Sequence, residues 1–207
     1  MNTGKLITFE GMDGSGKTTQ VALLKASLEK SGIEVLSVAE PGGTEIGDEI
    51  KSIVKKIRSS VVYPETELFL FQASRAQLVR EVIRPALLEN KVVLADRFID
   101  STWVFQSWAR GANLLSIEFT NRLATTGVKI DKTFLLQLPL NISMERVRSR
   151  SMTDRFEKED IAFYEKVYAG YNEVAKVYSD RIKVIDANRP SNIIHEDLLN
   201  QVVELLG

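Results

Sequence analysis

Leu6-Ile7-Thr8-Phe9-Glu10-Gly11-Met12-Asp13-Gly14-Ser15-Gly16-Lys17-Thr18-Thr19-Gln20 is the stretch on which the reading of the fold turns. A short apolar run ends in Glu10, a glycine-rich turn follows, and from Lys17 onward apolar residues recur at Val21, Leu24 and Leu28, the three- and four-residue spacing of a helix. Within the turn, Gly11 and Gly16-Lys17-Thr18 have the spacing of glycine, four residues, glycine, lysine and a hydroxyl residue. The placement between strand and helix matters more than the match. Glycines let successive amides face phosphate oxygens, and the helix start adds positive potential. Lys17 would reach the outer phosphates and Thr18 would offer its hydroxyl to Mg²⁺. Residues Gly11, Met12, Asp13, Gly14, Ser15, Gly16, Lys17, Thr18 and Thr19 are therefore the expected cradle for a nucleoside triphosphate. The bland alternative is a turn that merely happens to be rich in glycine.

Outward from this unit, short apolar runs alternate with helical spacing, the pattern of a parallel sheet covered by helices. Strands are expected near residues 6–10, 35–39, 92–95, 133–138 and 182–186. Helices are expected at 17–30, stopped by Ser31-Gly32, at 65–88 with Pro85 bending or shortening its end, and at 160–178. The 207 residues suit one domain spanning 1–207, and 44% hydrophobic residues supply its core. With 27 basic against 28 acidic side chains, no net field draws the chain to nucleic acid or an anionic membrane. Without cysteine there is no disulfide or thiolate metal site, and one histidine leaves little basis for zinc. No apolar stretch has the length of a signal peptide or a membrane span, so a reducing, cytoplasmic setting is expected.

Val92-Val93-Leu94-Ala95-Asp96 ends a buried-strand pattern in a carboxylate at the sheet edge that carries the cradle. Asp96 can orient Mg²⁺ or its water; capping a helix is the alternative use of such an Asp. Arg97, next in sequence, presents a rigid fork suited to an acceptor phosphate, or else makes a surface salt bridge. Glu40-Pro41-Gly42-Gly43-Thr44 forms a loop that could approach a ligand, and Lys51 stands a turn into the next helix. Arg146, Arg148, Arg150 and Arg155 fall in a polar stretch at about 146–160, read as a lid; a solvated helix face is the other meaning of such a cluster.

The ordered set of motifs, namely the cradle with an internal carboxylate, the Glu40-Pro41-Gly42-Gly43-Thr44 loop, Phe71-Gln72-Ala73-Ser74-Arg75, Asp96-Arg97-Phe98 with Ser101-Thr102, and Asp154-Arg155-Phe156-Glu157, resembles the bacterial-type thymidylate kinases over the whole chain. The resemblance implies an α/β P-loop kinase fold, a five-stranded parallel sheet of order 2-3-1-4-5, and transfer of phosphate from Mg-ATP to dTMP, a step in dTTP synthesis for DNA replication. It implies a homodimer. It also implies roles: Phe71 stacking on the base, Arg75 donating to a base carbonyl, Phe105 and Gln106 closing the sugar 2′ side and reading the base edge. Asp13 would meet the 3′ hydroxyl and position Arg97, and Lys51, Ser101 and Thr102 would belong to the acceptor site. Arg146 would lie over the adenine, Lys17 and Arg97 would be catalytic, and Arg150 and Arg155 would supply the lid's charge. The chain departs from the family at Ala39 and Lys51, where arginine is common, and at Ser107-Trp108, where glycines are frequent and a bulkier loop is expected. Rivals are another nucleoside monophosphate or deoxynucleoside kinase on the same fold and a nucleotide-driven switch or partner-binding ATPase.

Overall fold

The computed structural model describes residues 4–149 and 155–207. Five strands, β1 (Lys5–Glu10), β2 (Val35–Ala39), β3 (Val92–Asp96), β4 (Lys132–Gln137) and β5 (Ile182–Asp186), form one sheet in the order β2-β3-β1-β4-β5. Every neighbouring pair is parallel, so all carboxyl ends reach one rim. The expected fold class and strand order are those observed. Register does the positioning: Phe9 pairs with Asp96 and Ala39 with Asp96, which aligns the ends of β1, β3 and the edge strand β2 at that rim.

Between them run α1 (Lys17–Lys30), α2 (Glu45–Lys55), α3 (Pro64–Leu78), α4 (Arg84–Leu88), α5 (Ile99–Thr102), α6 (Leu114–Thr125), α7 (Leu140–Arg148), α8 (Ile161–Val177) and α9 (Ser191–Leu206). One side of the sheet packs Ile7, Phe9, Leu94 and Phe134 against Leu24, Leu28 and Leu198 of α1 and α9. The opposite side packs Leu6, Val93 and Ala95 on Leu78 and Ile83, and Leu135 on Val104, Ile117 and Val167. Burial on both faces explains why the strands read as continuous apolar runs. The Ser31-Gly32 stop of α1 is observed as a paired cap, with the Ile33 and Gly32 amides donating to the Leu28 and Glu29 carbonyls.

Three local expectations are corrected. The segment expected as one helix over 65–88 is divided by a π-helical turn, Val79–Ile83, before α4. Pro85 has no amide to give the carbonyl four residues back, and the wider turn before it absorbs the mismatch without a break in direction. Second, the loop expected around Ser107-Trp108 is a π-helix, Trp103–Ala109, in which Trp108 stacks on Trp103 at 5.5 Å between centroids. Third, Arg146 and Arg148 are in the last turn of α7 rather than in a flap. The chain resumes at Arg155 with a 3₁₀ turn, Phe156–Lys158; Arg150 and Asp154 lie outside the described residues.

Candidate active site

At the carboxyl rim, β1 delivers the glycine-rich turn and α1 leaves from it. Lys17 folds back into the turn, where its Nζ donates to the Gly11 and Met12 carbonyls at 3.1 and 3.0 Å. Burial, together with the neighbouring Arg97 charge, pulls this ammonium down to about 8, with Asp13, Asp96 and Glu10 partly opposing. Met12 sends its side chain into the core and contributes backbone to the turn. Ser15 Oγ is buried beneath the turn with no hydrogen-bond partner among the described residues, the state of a hydroxyl suited to a ligand oxygen. Thr18 Oγ1 donates to Asp96 Oδ2 at 2.6 Å, so the expected metal pair is one unit. Among the described residues no group of three or more His, Cys, Asp or Glu could hold an ion by itself. One hydroxyl and one carboxylate suit an ion that takes its other oxygens from phosphates and water.

Gly14 carries no side chain for a reason of space as well as conformation. Its φ is +78°, and a Cβ there would come within 3.0 Å of Arg146 Cβ. Arg146 fills the place instead, its Nη1 donating to the Gly14 carbonyl at 3.0 Å.

Arg97 is the pivot of the rim. It is a non-glycine residue at φ +70°, with its amide bonded to the Phe9 carbonyl. A left-handed backbone at a long, charged residue is an uncommon conformation held only where surroundings over-determine it. The surroundings here are Asp13 Oδ1 at 2.6 Å from Nη2, and Ser101 Oγ and Tyr171 Oη at 3.1 and 2.8 Å from Nη1. The guanidinium also lies 5.2 Å over the Phe105 ring. Beneath it, Glu10 accepts from the Phe98 and Ser101 amides, from Ser101 Oγ and from Tyr171 Oη. Burial, then the negative charge of Asp100, pushes the Glu10 carboxyl up to about 7, while Arg97 and the Ser101 hydroxyl work against the shift. Burial would raise Asp13 too, but the charges of Arg97 and Lys17 prevail and hold it at about 2.

Two cavities meet at this pivot. One, of about 320 Å³, is lined by Gly14, Gly16, Lys17, Thr18, Thr19 and Asp96 on the cradle side and by Ala39 and Lys51 on the other. The second, of about 150 Å³, is walled by Phe71, Arg75, Thr102, Phe105, Gln106 and Phe156. Asp13, Glu40, Lys55, Arg97 and Glu157 line both. The rim thus offers cationic groups in the first space and aromatic walls in the second.

The expected residues are placed as follows. Phe71 is half-buried with its ring 6.1 Å from Phe156, on the wall and outside the core clusters. Arg75 reaches the same cavity with every N–H engaged: Nε and Nη2 on the Glu40 carboxylate, Nη2 also on the Phe98 carbonyl, and Nη1 shared among Thr102, Asn121 and Gln72. Burial raises the Glu40 carboxyl, and Arg75 opposes that shift. Phe105 and Gln106 share one turn of the Trp103–Ala109 π-helix, and Gln106 Nε2 donates to Glu67 at 2.8 Å. Arg155 is not brought to the cradle. Its Nη2 pairs with Glu67 at 2.6 Å and its Nε with the Val54 carbonyl, and it lines neither cavity. A basic residue in a polar stretch can turn toward any buried acid within reach, and sequence spacing does not reveal which.

The sequence alone does not single out Glu10, Tyr171, Lys55, Glu67 or Phe156 for a role. Lys55 follows Lys51 by four residues on α2, a spacing that puts both on one face. Glu10 left a trace as well, as a carboxylate ending an apolar strand.

The family profile described as "Thymidylate kinase" matches residues 9–198. The chain is 43% identical over 195 residues to the thymidylate kinase of Kosmotoga olearia, covering 94% of this chain and 93% of that protein. It is 40% identical over 203 residues to that of Caldanaerobacter subterraneus subsp. tengcongensis, covering 98% and 97%. The thymidylate kinase of an Exiguobacterium species is 40% identical over 204 residues, covering 99% and 96%.

Proposed function

The chain belongs to the thymidylate kinase family, and on that premise we propose how its two cavities divide the reaction between them. The enzyme phosphorylates dTMP to dTDP with ATP as donor. The reading is carried by one observation: a cationic cavity built on the cradle and an aromatic-walled one share Arg97 at their junction.

In this proposal the triphosphate of ATP lies along the turn from Gly11 to Thr19, on backbone amides and Lys17, with Arg146 on the adenine side. Thr18 and Asp96 would hold Mg²⁺, which would offset the charge of the donor phosphates. dTMP enters the smaller cavity, its base between Phe71 and the Phe105 side. A base carbonyl there competes with Gln72 for Arg75 Nη1, whose 3.3 Å bond to Gln72 is the longest that nitrogen makes. Phe105 fills the space beside the sugar 2′ carbon, Gln106 faces the base edge and Asp13 accepts from the 3′ hydroxyl. Arg97, Ser101 and Thr102 stand on the acceptor side, with Lys51 as a point charge where relatives commonly place a fork. The acceptor phosphate is already ionised, so catalysis is alignment and charge stabilisation, without an obligatory base. With Arg155 turned to Glu67, Arg150 is the remaining lid arginine for the transferring group.

A coupled ADP-release assay with ATP, Mg²⁺ and a panel of monophosphates tests the assignment. Turnover is expected with dTMP, with dUMP, dCMP and deoxythymidine at lower kcat/KM. Nucleotide hydrolysis indifferent to any acceptor would refute it.

The homodimer belongs to the same proposal. On α6, Leu115, Phe119 and Leu123 recur every four residues and are 73%, 68% and 62% exposed, and Phe69 of the adjacent α3 is 62% exposed. The opposite face of α6, with Ile117 and Ala124, is buried. An apolar stripe of this kind on packed helices is suited to a second copy. Sedimentation velocity at micromolar concentration is expected to give twice the 23.2 kDa chain mass, and Phe119→Glu to give monomers. Wild-type protein sedimenting as a monomer would remove the face from consideration.

A further inference from the structure

Glu67 is 1% exposed, and its two carboxylate oxygens serve different parts of the molecule. Oε1 accepts from Gln106 Nε2 at 2.8 Å, on the wall of the smaller cavity, and faces Arg110 Nε at 3.5 Å. Oε2 accepts from Arg155 Nη2 at 2.6 Å. Arg155 is held from two further sides, by the Val54 carbonyl on its Nε and by the Lys55 carbonyl on its amide. Its guanidinium stacks 4.2 Å over the Phe156 ring. Phe156 in turn meets Phe71 and Phe105, and with Glu157 lines the cavity. Arg110 extends the chain of charges to Glu159 at 2.5 Å while lying 4.4 Å over Phe163.

A buried carboxylate can be no more than a local ion pair, and such pairs add little net stability over apolar packing. This one has a different geometry. It ties residues 155–159, which carry the outer wall, to the amide of Gln106 on the inner wall, through a single rigid group. We propose that Glu67 is a positioning residue: it seats residues 155–159 as the outer wall of the base cavity and sets that wall in register with Gln106. It touches no nucleotide, and Arg155 acts with it as a clasp. The charges of the cluster balance, two carboxylates against two guanidinium groups, so loss of Glu67 leaves Arg155 and Arg110 competing for Glu159. The outer aromatic Phe156 then loses this anchor while the phosphate cradle, which takes part in none of the bonds just named, keeps its geometry.

The inference rests on the base of dTMP occupying the smaller cavity. The experiment is a double-mutant cycle on Glu67→Gln and Arg155→Met, reading KM for dTMP, kcat, Kd for ATP alone and Tm. Each single variant is expected to raise KM for dTMP about tenfold, with Kd for ATP within about twofold of wild type. The double variant is expected to be no worse than the poorer single, because two halves of one clasp cannot be lost twice. Additive losses, or equal losses for ATP and dTMP accompanying a fall in Tm, would overturn the proposal. Should Glu67→Gln not fold, Glu67→Asp, which keeps the charge and shortens the reach, is expected to show a smaller rise in the same KM; an unchanged KM would count against it equally. Phe71→Ala separates the two readings. If it leaves KM for dTMP unchanged, the base does not occupy this cavity, whereas a raised KM with an additive Glu67–Arg155 cycle sinks the clasp alone.

Discussion

Arg97→Ala is expected to lower kcat/KM for dTMP by about 10³-fold, the loss that follows from its proposed role as a preorganised donor to developing phosphate charge. The effect is large because the residue is not replaceable by its neighbours. Its Nη1 is fixed by Ser101 and Tyr171 and its Nη2 by Asp13, so the fork enters the junction between the cavities at a set angle. Truncation removes that fork and also leaves Asp13 without the partner that lowers its pKa, adding a carboxylate's repulsion to the lost attraction. Arg97→Lys keeps a charge but cannot bond Asp13 and Tyr171 from two nitrogens of one plane, and is expected to recover no more than about tenfold of the loss. Steady-state kinetics with both variants decide the matter; wild-type turnover of Arg97→Lys would reduce Arg97 to a point charge and undo the orientation argument.

Lys17→Met is the second large effect, and it moves activity and stability in opposite directions. Turnover is expected to fall by about 10³-fold or more, because the cation proposed to meet the donor phosphates is lost. The ligand-free protein, however, becomes more resistant to heat. Burial and the charge of Arg97 bring the folded-state Lys17 down to about 8 from an ordinary 10.5, so the folded chain binds this proton more weakly than the unfolded chain does. The penalty is complete below pH 8, shrinks as pH rises from 8 to 10.5, and is gone above that range. The gain in Tm from Lys17→Met is accordingly expected to be greatest at pH 7 and to fade toward pH 10.5. A Tm that drops at pH 7, or a gain that grows with pH, would show that the ammonium stabilises the resting turn. The same contrast describes a site kept ready for an anion at a cost to the empty protein.

Much of this was legible before the structure because its signals are local. The strand, turn and helix from Leu6 to Lys30 are specified by residues in immediate succession, and Asp96 and Arg97 follow a strand whose apolar run places them at the rim. The pairings that make these residues work are not local. Glu10 meets Tyr171 across 161 positions, and Glu67 meets Arg155 across 88. Nothing at either end of those pairs announces the other. Arg155 shows the limit most clearly: its neighbours in the chain suggest a phosphate, while its neighbour in space is a buried acid on α3. The π-helical turns escaped for a different reason, since a single widened turn leaves the spacing of apolar residues nearly unchanged.

The turn from Trp103 to Ala109 has a further consequence. A π-turn is an α-helix holding one residue more than it needs, and each residue rotates a helix by about 100°. Excising one residue just before Phe105 would restore ordinary winding and swing the aromatic ring and the Gln106 amide away from the cavity together. Side chains at these two positions are therefore open to exchange, with altered preference among nucleotides as the result, but the length of the segment is not. An insertion or deletion there erases base recognition where a substitution only retunes it.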